Sequence, residues 1–523
     1  MAWGSAFLEA ISQRQVAYIF ILEVLEIWEE PGLSFEVSTH KGYGTDDKVF
    51  LSGPPAVSPS TLSPRGWSST IGGFSIGIVG DKSELCAHVT RGTIVQVRAG
   101  VAGMDPDDFG VIAIGQVQNL RGAQQPWTLD VLDLYSACKQ RLVRTSTSGG
   151  LFFDVAGAAT ISTAYVAGAA TLEVSSTTSF YMEVGGTGLI LITPATGDPF
   201  FLTFTGTASS PTRFTGLGAT GALGTTAVDA AVGDAVAGTA YLHGHPLDIA
   251  RKILVSRGSV GNGTYDDYPL QWGFAIADAL IDHDDIDMWK ATCVKTSTGA
   301  YNWLYAVTAV QDDAYGWLAS FLARGGFFLA IRQGMLTIRA GQDTRSADTH
   351  YSEGAERYHS GISITDADIV AGGVENYEAW EAGHTPEHSA VQVHVGLWSS
   401  TMPSPTDPAT LPIAEQLEYD LSDRSYATEA DALALKKEMI NRLSESATRV
   451  PEFVVFRTAG MRASQLTVGD IFDLTTTQIQ SRRGGPAGFD EEPALVLEAT
   501  PDWAGAGVRI AALVYPPSET LFE

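Results

Sequence analysis

Cysteine is rare in this chain and basic side chains are outnumbered by acidic ones, and each shortage removes a class of function. Its three cysteines, Cys86, Cys138 and Cys293, are far apart, odd in number and never form a Cys-x-x-Cys pair. Neither a disulfide framework nor a cysteine zinc site is signalled, and assembly in a reducing cytoplasm fits. Lys and Arg together number 32 against 60 Asp and Glu, a formal net charge of −28 over 523 residues. Binding to nucleic acid rests on cations that neutralise phosphate, so wrapping DNA or RNA is argued against. The surplus acid is first a solubility device, and would also suit a surface that nucleic acid slides past without sticking. Long apolar runs are missing too. The stretch from Val16 to Trp28 is short for a membrane span and carries Glu23 and Glu26, and MAWGSAFLEAISQRQ lacks the charged and apolar blocks of a signal peptide.

Catalytic signatures are equally sparse. There is no Gly-x-Ser-x-Gly elbow, and the scattered His and Ser show no triad spacing. The glycine-rich stretch Phe214–Thr226 (FTGLGATGALGTT) invites a phosphate-loop reading. A Walker loop needs Lys and then Ser or Thr after its last glycine, and no lysine is there. In His384-Thr-Pro-Glu-His388 the Glu stands beside the second His and Pro386 interrupts the turn, so a loop is expected rather than a zinc helix. His243-Gly-His245 shows no third ligand. The run Asp282-His283-Asp284-Asp285-Ile286-Asp287 lacks the glycine of a calcium loop and reads as a solvated loop. No catalytic, cofactor-binding or metal-binding residue is therefore assigned, and no cofactor is implied.

What the chain does have is β pattern, turn glycine and enough apolar residues (45%) to fill several cores. Trp3, Phe7, Ala10 and Ile11 recur at helical spacing, the mark of a short amphipathic arm that docks elsewhere. From Arg14 to about Arg144, segments such as VAYIFILEVLEIW, GFSIGIVGD and GTIVQVRAGVAG read as strands of a barrel or sandwich. Charged residues nearly vanish between about Thr160 and Tyr241. Regular Val, Leu, Ile and Phe there favour a compact inserted β-domain over a flexible linker. HPLDIARKILVSRG reads as a helix with Pro246 in its first turn, Ile249, Ile253 and Leu254 on one face, and Gly258 at its close. A loop feeding a second short helix follows. Then comes a helix packed by Trp317, Phe321 and Leu322, and a hairpin, FFLAIR and MLTIRA, turning at Gln333-Gly334. The last part holds strands, a proline-rich loop, a helix stripe of Ala432, Leu435, Met439 and Leu443, and strands of a second small barrel. The expected division is 1–150 for the arm and first barrel, 160–242 for the inserted β-module, 243–360 for a helix and hairpin region of α+β type, and 361–523 for the second barrel with a helix at 428–446. The fold class is mainly β with an α+β middle.

The order of these elements, with several short signatures, resembles the baseplate or tail-tip hub proteins of tailed bacteriophages and gene-transfer-agent particles. His245 to Gly273 is similar to a hub's helix and glycine-loop stretch. Leu466 to Ile479 (LTVGDIFDLTTTQI), followed by PDWAGAGVRIAALV, resembles the C-terminal barrel, where a Gly-Asp step precedes a strand and a Pro-Asp-Trp turn closes the sheet. Ala164 to Tyr241 resembles a small β-module of phage virion proteins. Asp229 or a neighbour takes its usual histidine place, and Thr220-Gly221 its usual Arg-Gly.

The resemblance implies a structural virion protein without catalysis. A trimer presenting two barrels per chain makes a pseudo-six-fold ring, which adapts a six-fold tail tube to a three-fold tip and lets DNA pass. The partners it implies are the distal tail ring, the end of the tape-measure protein and a central fibre or tip protein. Two other classes stay open. One is a receptor- or glycan-binding tail protein using Trp272, Trp289, Trp303, Tyr305 and Trp317, though such aromatics more often fill cores and interfaces. The other is a carbohydrate-active enzyme.

Overall fold

The computed structural model describes residues 3–13, 17–25, 35–41, 43–46, 48–58, 60–63, 68–69, 72–132, 134, 157–178, 180, 182, 187–222, 225–255, 274, 276, 278–292, 303–307, 314–323, 327–340, 360–378, 390–395, 416–421, 452–481 and 487–514. The 428–446 helix, the proline-rich loop, His384–His388, Trp272 and Gly258 lie outside them.

Helix α1 (Ser5–Ser12) buries Phe7, Ala10 and Ile11, the face its spacing predicts. Strands β1 (Tyr18–Leu25), β2 (Glu36–Ser38), β3 (Val49–Leu51) and β4 (Ala56–Ser58) follow. A two-residue-per-strand hairpin comes next, β5 (Leu62–Ser63) with β6 (Ser68–Ser69), and then β7 (Gly73–Gly80). Helix α2 (Lys82–His88), which the β pattern did not announce, interrupts the strands. Its cap is Asp81, whose carboxylate accepts from the Ser83 and Glu84 amides at 2.8 and 3.3 Å. Strands β8 (Ile94–Val101), β9 (Gly110–Arg121) and β10 (Trp127–Leu132) complete a sheet of order β2-β1-β8-β9-β10-β7-β3, with β4 also on β7. Alternation along β7 and β10 turns Phe74, Ile76, Leu129 and Val131 inward. The end strands β2 and β3 approach each other, so the sheet nearly closes into a barrel.

The glycine- and threonine-rich region forms two small sheets around a core of its own. Strands β11 (Ala158–Thr160), β12 (Thr171–Glu173), β13 (Gly188–Thr193), β14 (Phe200–Phe204), β15 (Gly206–Ser209), β16 (Thr212–Thr215) and β17 (Ala235–Gly244) order as β11-β17-β13-β14 and β12-β16-β15. Phe200, Phe204 and Phe214 are fully buried between them, with Ile190, Ile192 and Leu202. Strand β17 is shared. Its first half pairs with β11 and β13, and its second half pairs with β18 (Trp303–Val307) of the following region.

Beyond β17 come α3 (Pro246–Val255), α4 (His283–Thr292), α5 (Ala314–Ala323) and the hairpin of β19 (Phe327–Arg332) with β20 (Met335–Ala340). Gln333 and Gly334 have φ of 49° and 78°, the paired left-handed residues of a tight hairpin turn, at the place the sequence sets it.

The last sheet holds β21 (Ser363–Thr365), β22 (Ile369–Glu378), β25 (Glu452–Ala459), β26 (Ile471–Thr476), β27 (Phe489–Asp502) and β28 (Gly507–Val514), ordered β21-β26-β27-β28-β25-β22. It curves as a half-barrel rather than a closed one. Strands β23 (Ala390–Val395) and β24 (Gln416–Leu421) pair in parallel apart from it. The half-barrel is covered on both faces. One face shares a single apolar core with the first barrel, where Trp503 meets Tyr18 and Phe20 edge-on at 5.3 and 5.9 Å. The other face receives the hairpin, through Phe328 and Ala330 against Val468, Ile471 and Leu513.

Candidate functional site

The place where most of the chain converges is the joint between barrel, hairpin and half-barrel. The N-terminal arm straps it. Gly110 of β9 leaves a notch, since a Cβ there would stand 2.2 Å from the Phe7 ring. Phe7 fills that notch and stacks edge-on against Trp3 at 5.0 Å. Trp3 then bridges two bodies: its indole Nε1 donates to the Val111 carbonyl at 2.7 Å, and its amide donates to Gln333 Oε1 at 2.9 Å. Gly334 beside it approaches Val111 so closely that a Cβ would lie 2.2 Å from its side chain.

Behind the hairpin lies a buried ionic cluster. Arg339 of β20 is fully buried. It forks onto Asp285 through Nε and Nη2 at 3.0 and 3.3 Å, and reaches Asp470 through Nη1 at 2.7 Å. Trp289 of α4 presents its ring 5.6 Å from the guanidinium carbon. Burial by itself would lower the Arg339 pKa, but Asp470 and Asp285 outweigh it and raise the pKa. Arg332 joins the cluster at 3.2 Å from Asp282.

The acid run Asp282–Asp287 is therefore no solvated loop. It is the first turn of α4: Asp282 accepts from the Asp285 amide at 3.1 Å, and Asp285 is buried facing the hairpin. A carboxylate at the cap and acids in the first turn suit the positive end of a helix, and the hairpin supplies the counter-charge.

A second ionic group joins α3 to α4. Asp248 accepts from Lys290 Nζ at 2.6 Å and from Arg251 at 2.8 Å, and Arg251 reaches Asp287 at 2.9 Å. Burial would raise the Asp248 pKa, but the Lys290 and Arg251 contacts lower it overall. His245 caps α3, its Nδ1 accepting from the Leu247 amide at 3.2 Å. Burial lowers the His245 pKa to about 4, with Lys290 and Arg251 adding to the effect and Asp248 opposing it. Its imidazole is thus tied to a helix end, and of His243 only the backbone, on β17, is described. Among the described residues no three His, Cys, Asp or Glu side chains gather as a metal site.

Among its described residues the glycine-rich stretch is the end of β16 and the turns that follow it. Phe214 is buried, Gly216 has φ 63° with a Cβ position 2.0 Å from Thr205 Oγ1, and a Cβ on Gly221 would overlap the Thr225 carbonyl. Backbone bonds from Gly218 to Thr203 and from Ala222 to Phe201 fasten the stretch along β14. Asp229 accepts from the Ala167 amide at 2.8 Å, a brace inside the same module. Of the aromatics, Trp289 is buried, Trp317 stacks on Phe321 at 5.4 Å, and Trp303 and Tyr305 lie on β18.

These features define a multi-body β scaffold with buried ionic clusters at its joints. The sequence matches no family model and no curated protein. Among solved structures, it is similar to the 43 kDa tail protein of prophage MuSo2 from Shewanella oneidensis, at 10% identity over 95% of this chain and 97% of that one, with a TM-score of 0.34. It is also similar to a chain of the virion of a native gene transfer agent particle, at 14% identity over 45% of this chain and 84% of that one, with a TM-score of 0.20. Both TM-scores are too low to equate the folds. No helix of the described residues is long and apolar enough to cross a membrane.

Proposed function

We propose that this chain is a structural component of a phage-type tail, acting as a hub at the tail tip or baseplate. Three copies form a ring in which the barrel and half-barrel of each chain alternate, giving six lobes around one axis. The ring joins a six-fold tube to a three-fold tip and leaves a passage for DNA. Its neighbours are the distal tail ring, the end of the tape-measure protein and a central fibre or tip protein. Its work is adaptor work without catalysis, and it is assembled in the bacterial cytoplasm.

The observation that carries this reading is the single apolar core shared by the two curved sheets. Two barrel-like bodies fixed to each other in one chain are what a three-fold ring needs in order to present six similar faces. The buried ionic joint and the arm strap make that pair rigid, while the inserted module keeps a separate core. Imaging the purified chain tests it. Closed rings of three chains with six inner lobes are expected, and a dispersed monomer across micromolar to millimolar concentration would count against it.

A further inference from the structure

Helix α2 and the end of β9 frame a groove of about 620 Å³ on the first barrel. Lys82 of α2 stands on one wall, Arg91 of the turn before β8 at its end, and Asn119 and Leu120 of β9 on the other wall. Its floor lies over the buried side chains of Val89 and Val117.

The β9 wall is an open strand edge. Strand β9 pairs with β8 only as far as Gln116, opposite Ile94, and then runs on to Arg121. The turn before β8 holds Val117, whose amide donates to the Thr93 carbonyl at 2.8 Å and whose carbonyl accepts from the Gly92 amide at 2.9 Å. Over residues 119–121 the strand pairs with β10 on one side, and no described strand lies on the other. Backbone donors and acceptors along such an edge are what an added strand pairs with.

Charge is the second observation. Lys82 lies over the Trp127 ring at 5.6 Å, and neither it nor Arg91 makes an ion pair among the described residues. The acids nearest to them are engaged elsewhere: Asp81 caps α2, Glu84 pairs with Lys48 at 3.2 Å, and Asp130 holds Arg121 at 2.7 Å. In a chain of net charge −28, two uncompensated cations beside an open edge favour an acidic occupant. Nucleic acid fits poorly, since its binding rests on many phosphate contacts and gains nothing from an apolar floor.

We infer that this groove docks an extended, carboxylate-bearing peptide segment of another protein chain. The segment takes the place in the sheet that β8 vacates, with its backbone along residues 119–121 and its carboxylates at Lys82 and Arg91. Alternate side chains of an extended segment point the same way, so every second one faces the floor over Val89 and Val117.

Cys86, exposed on the α2 wall, reports occupancy in the full chain. The probe is a hexapeptide of alternating glutamate and valine, compared with a lysine–valine hexapeptide, a DNA oligonucleotide and inorganic phosphate. Alkylation of Cys86 by iodoacetamide, mapped by mass spectrometry, should slow about tenfold once the glutamate peptide saturates the groove. Amide exchange over residues 119–121 should slow with it. The double variant Lys82→Glu, Arg91→Glu changes two exposed side chains. It should bind the glutamate peptide about tenfold more weakly and the lysine peptide more tightly. No protection by the glutamate peptide, equal protection by the lysine peptide, or protection by the oligonucleotide or phosphate alone overturns the inference. Glutamate-peptide binding that the double variant leaves unchanged overturns it too. None of these outcomes bears on the ring, because the inference does not depend on the position of the chain in a particle.

Discussion

Arg339 and Asp470 stand 131 residues apart in the chain and 2.7 Å apart in space, both buried. The pair ties the hairpin to the half-barrel, and through Asp285 the same guanidinium holds α4. Arg339→Met leaves Asp470 buried without its cation and Asp285 with only Arg332, 3.4 Å away. The expected loss is about 3–5 kcal/mol in denaturant unfolding. Replacing Arg339, Asp285 and Asp470 together by apolar residues should recover most of it, because the cost lies in unpaired charge.

The arm depends on a missing side chain. Gly110→Val places atoms where the Phe7 ring lies, so α1 should leave its notch. Hydrogen exchange of Ser5–Ser12 should then rise to the rate of an open helix, while β8 and β10 keep their protection.

Stability should fall with acid through His245. Its folded pKa of about 4 lies below the ordinary 6.5, so the neutral form is favoured by folding. As pH drops from 6.5 the unfolded chain takes up the proton first. Stability is therefore full above about 6.5 and is lost progressively down to about 4, by up to about 3 kcal/mol. His245→Asn retains a capping acceptor for α3 and should flatten that part of the pH–stability curve.

Much of this was legible in local pattern. The arm, the hairpin turn at Gln333-Gly334, the α3 face and the β character of both large sheets follow from periodicity and turn residues, because one element's burial decides them. Helix α2 was not read, and the short helix expected after α3 was set ahead of the acid run, whereas α4 begins within it. Their signals are single aspartate caps, Asp81 and Asp282, and the acids that follow Asp282 look like a solvated run until Arg332 and Arg339 supply the opposing charge. The Gly-Asp step before β26 was visible as a signature, but the buried partner of Asp470 is set by tertiary approach, which no spacing encodes. Nor could the shared strand β17 be foreseen: the composition changes near Tyr241, yet the strand runs through that point from β11 and β13 to β18.

The inserted module should melt by itself. Phe214 touches Phe204 at 4.7 Å and Phe180 at 4.9 Å inside a core that excludes both large sheets. Phe214→Ala should destabilise the module by about 3–5 kcal/mol, read as an early exchange transition confined to β11–β16. The barrel core around Trp503 should keep its protection unchanged.

The central claim is positional, and electron cryomicroscopy of a particle assembled with this chain tests it most directly. The account predicts three copies closing a ring on the tail axis, with barrel and half-barrel alternating around a passage and the inserted modules outside the ring. Density for the chain at the periphery of the particle, in appendages away from the axis, would contradict it.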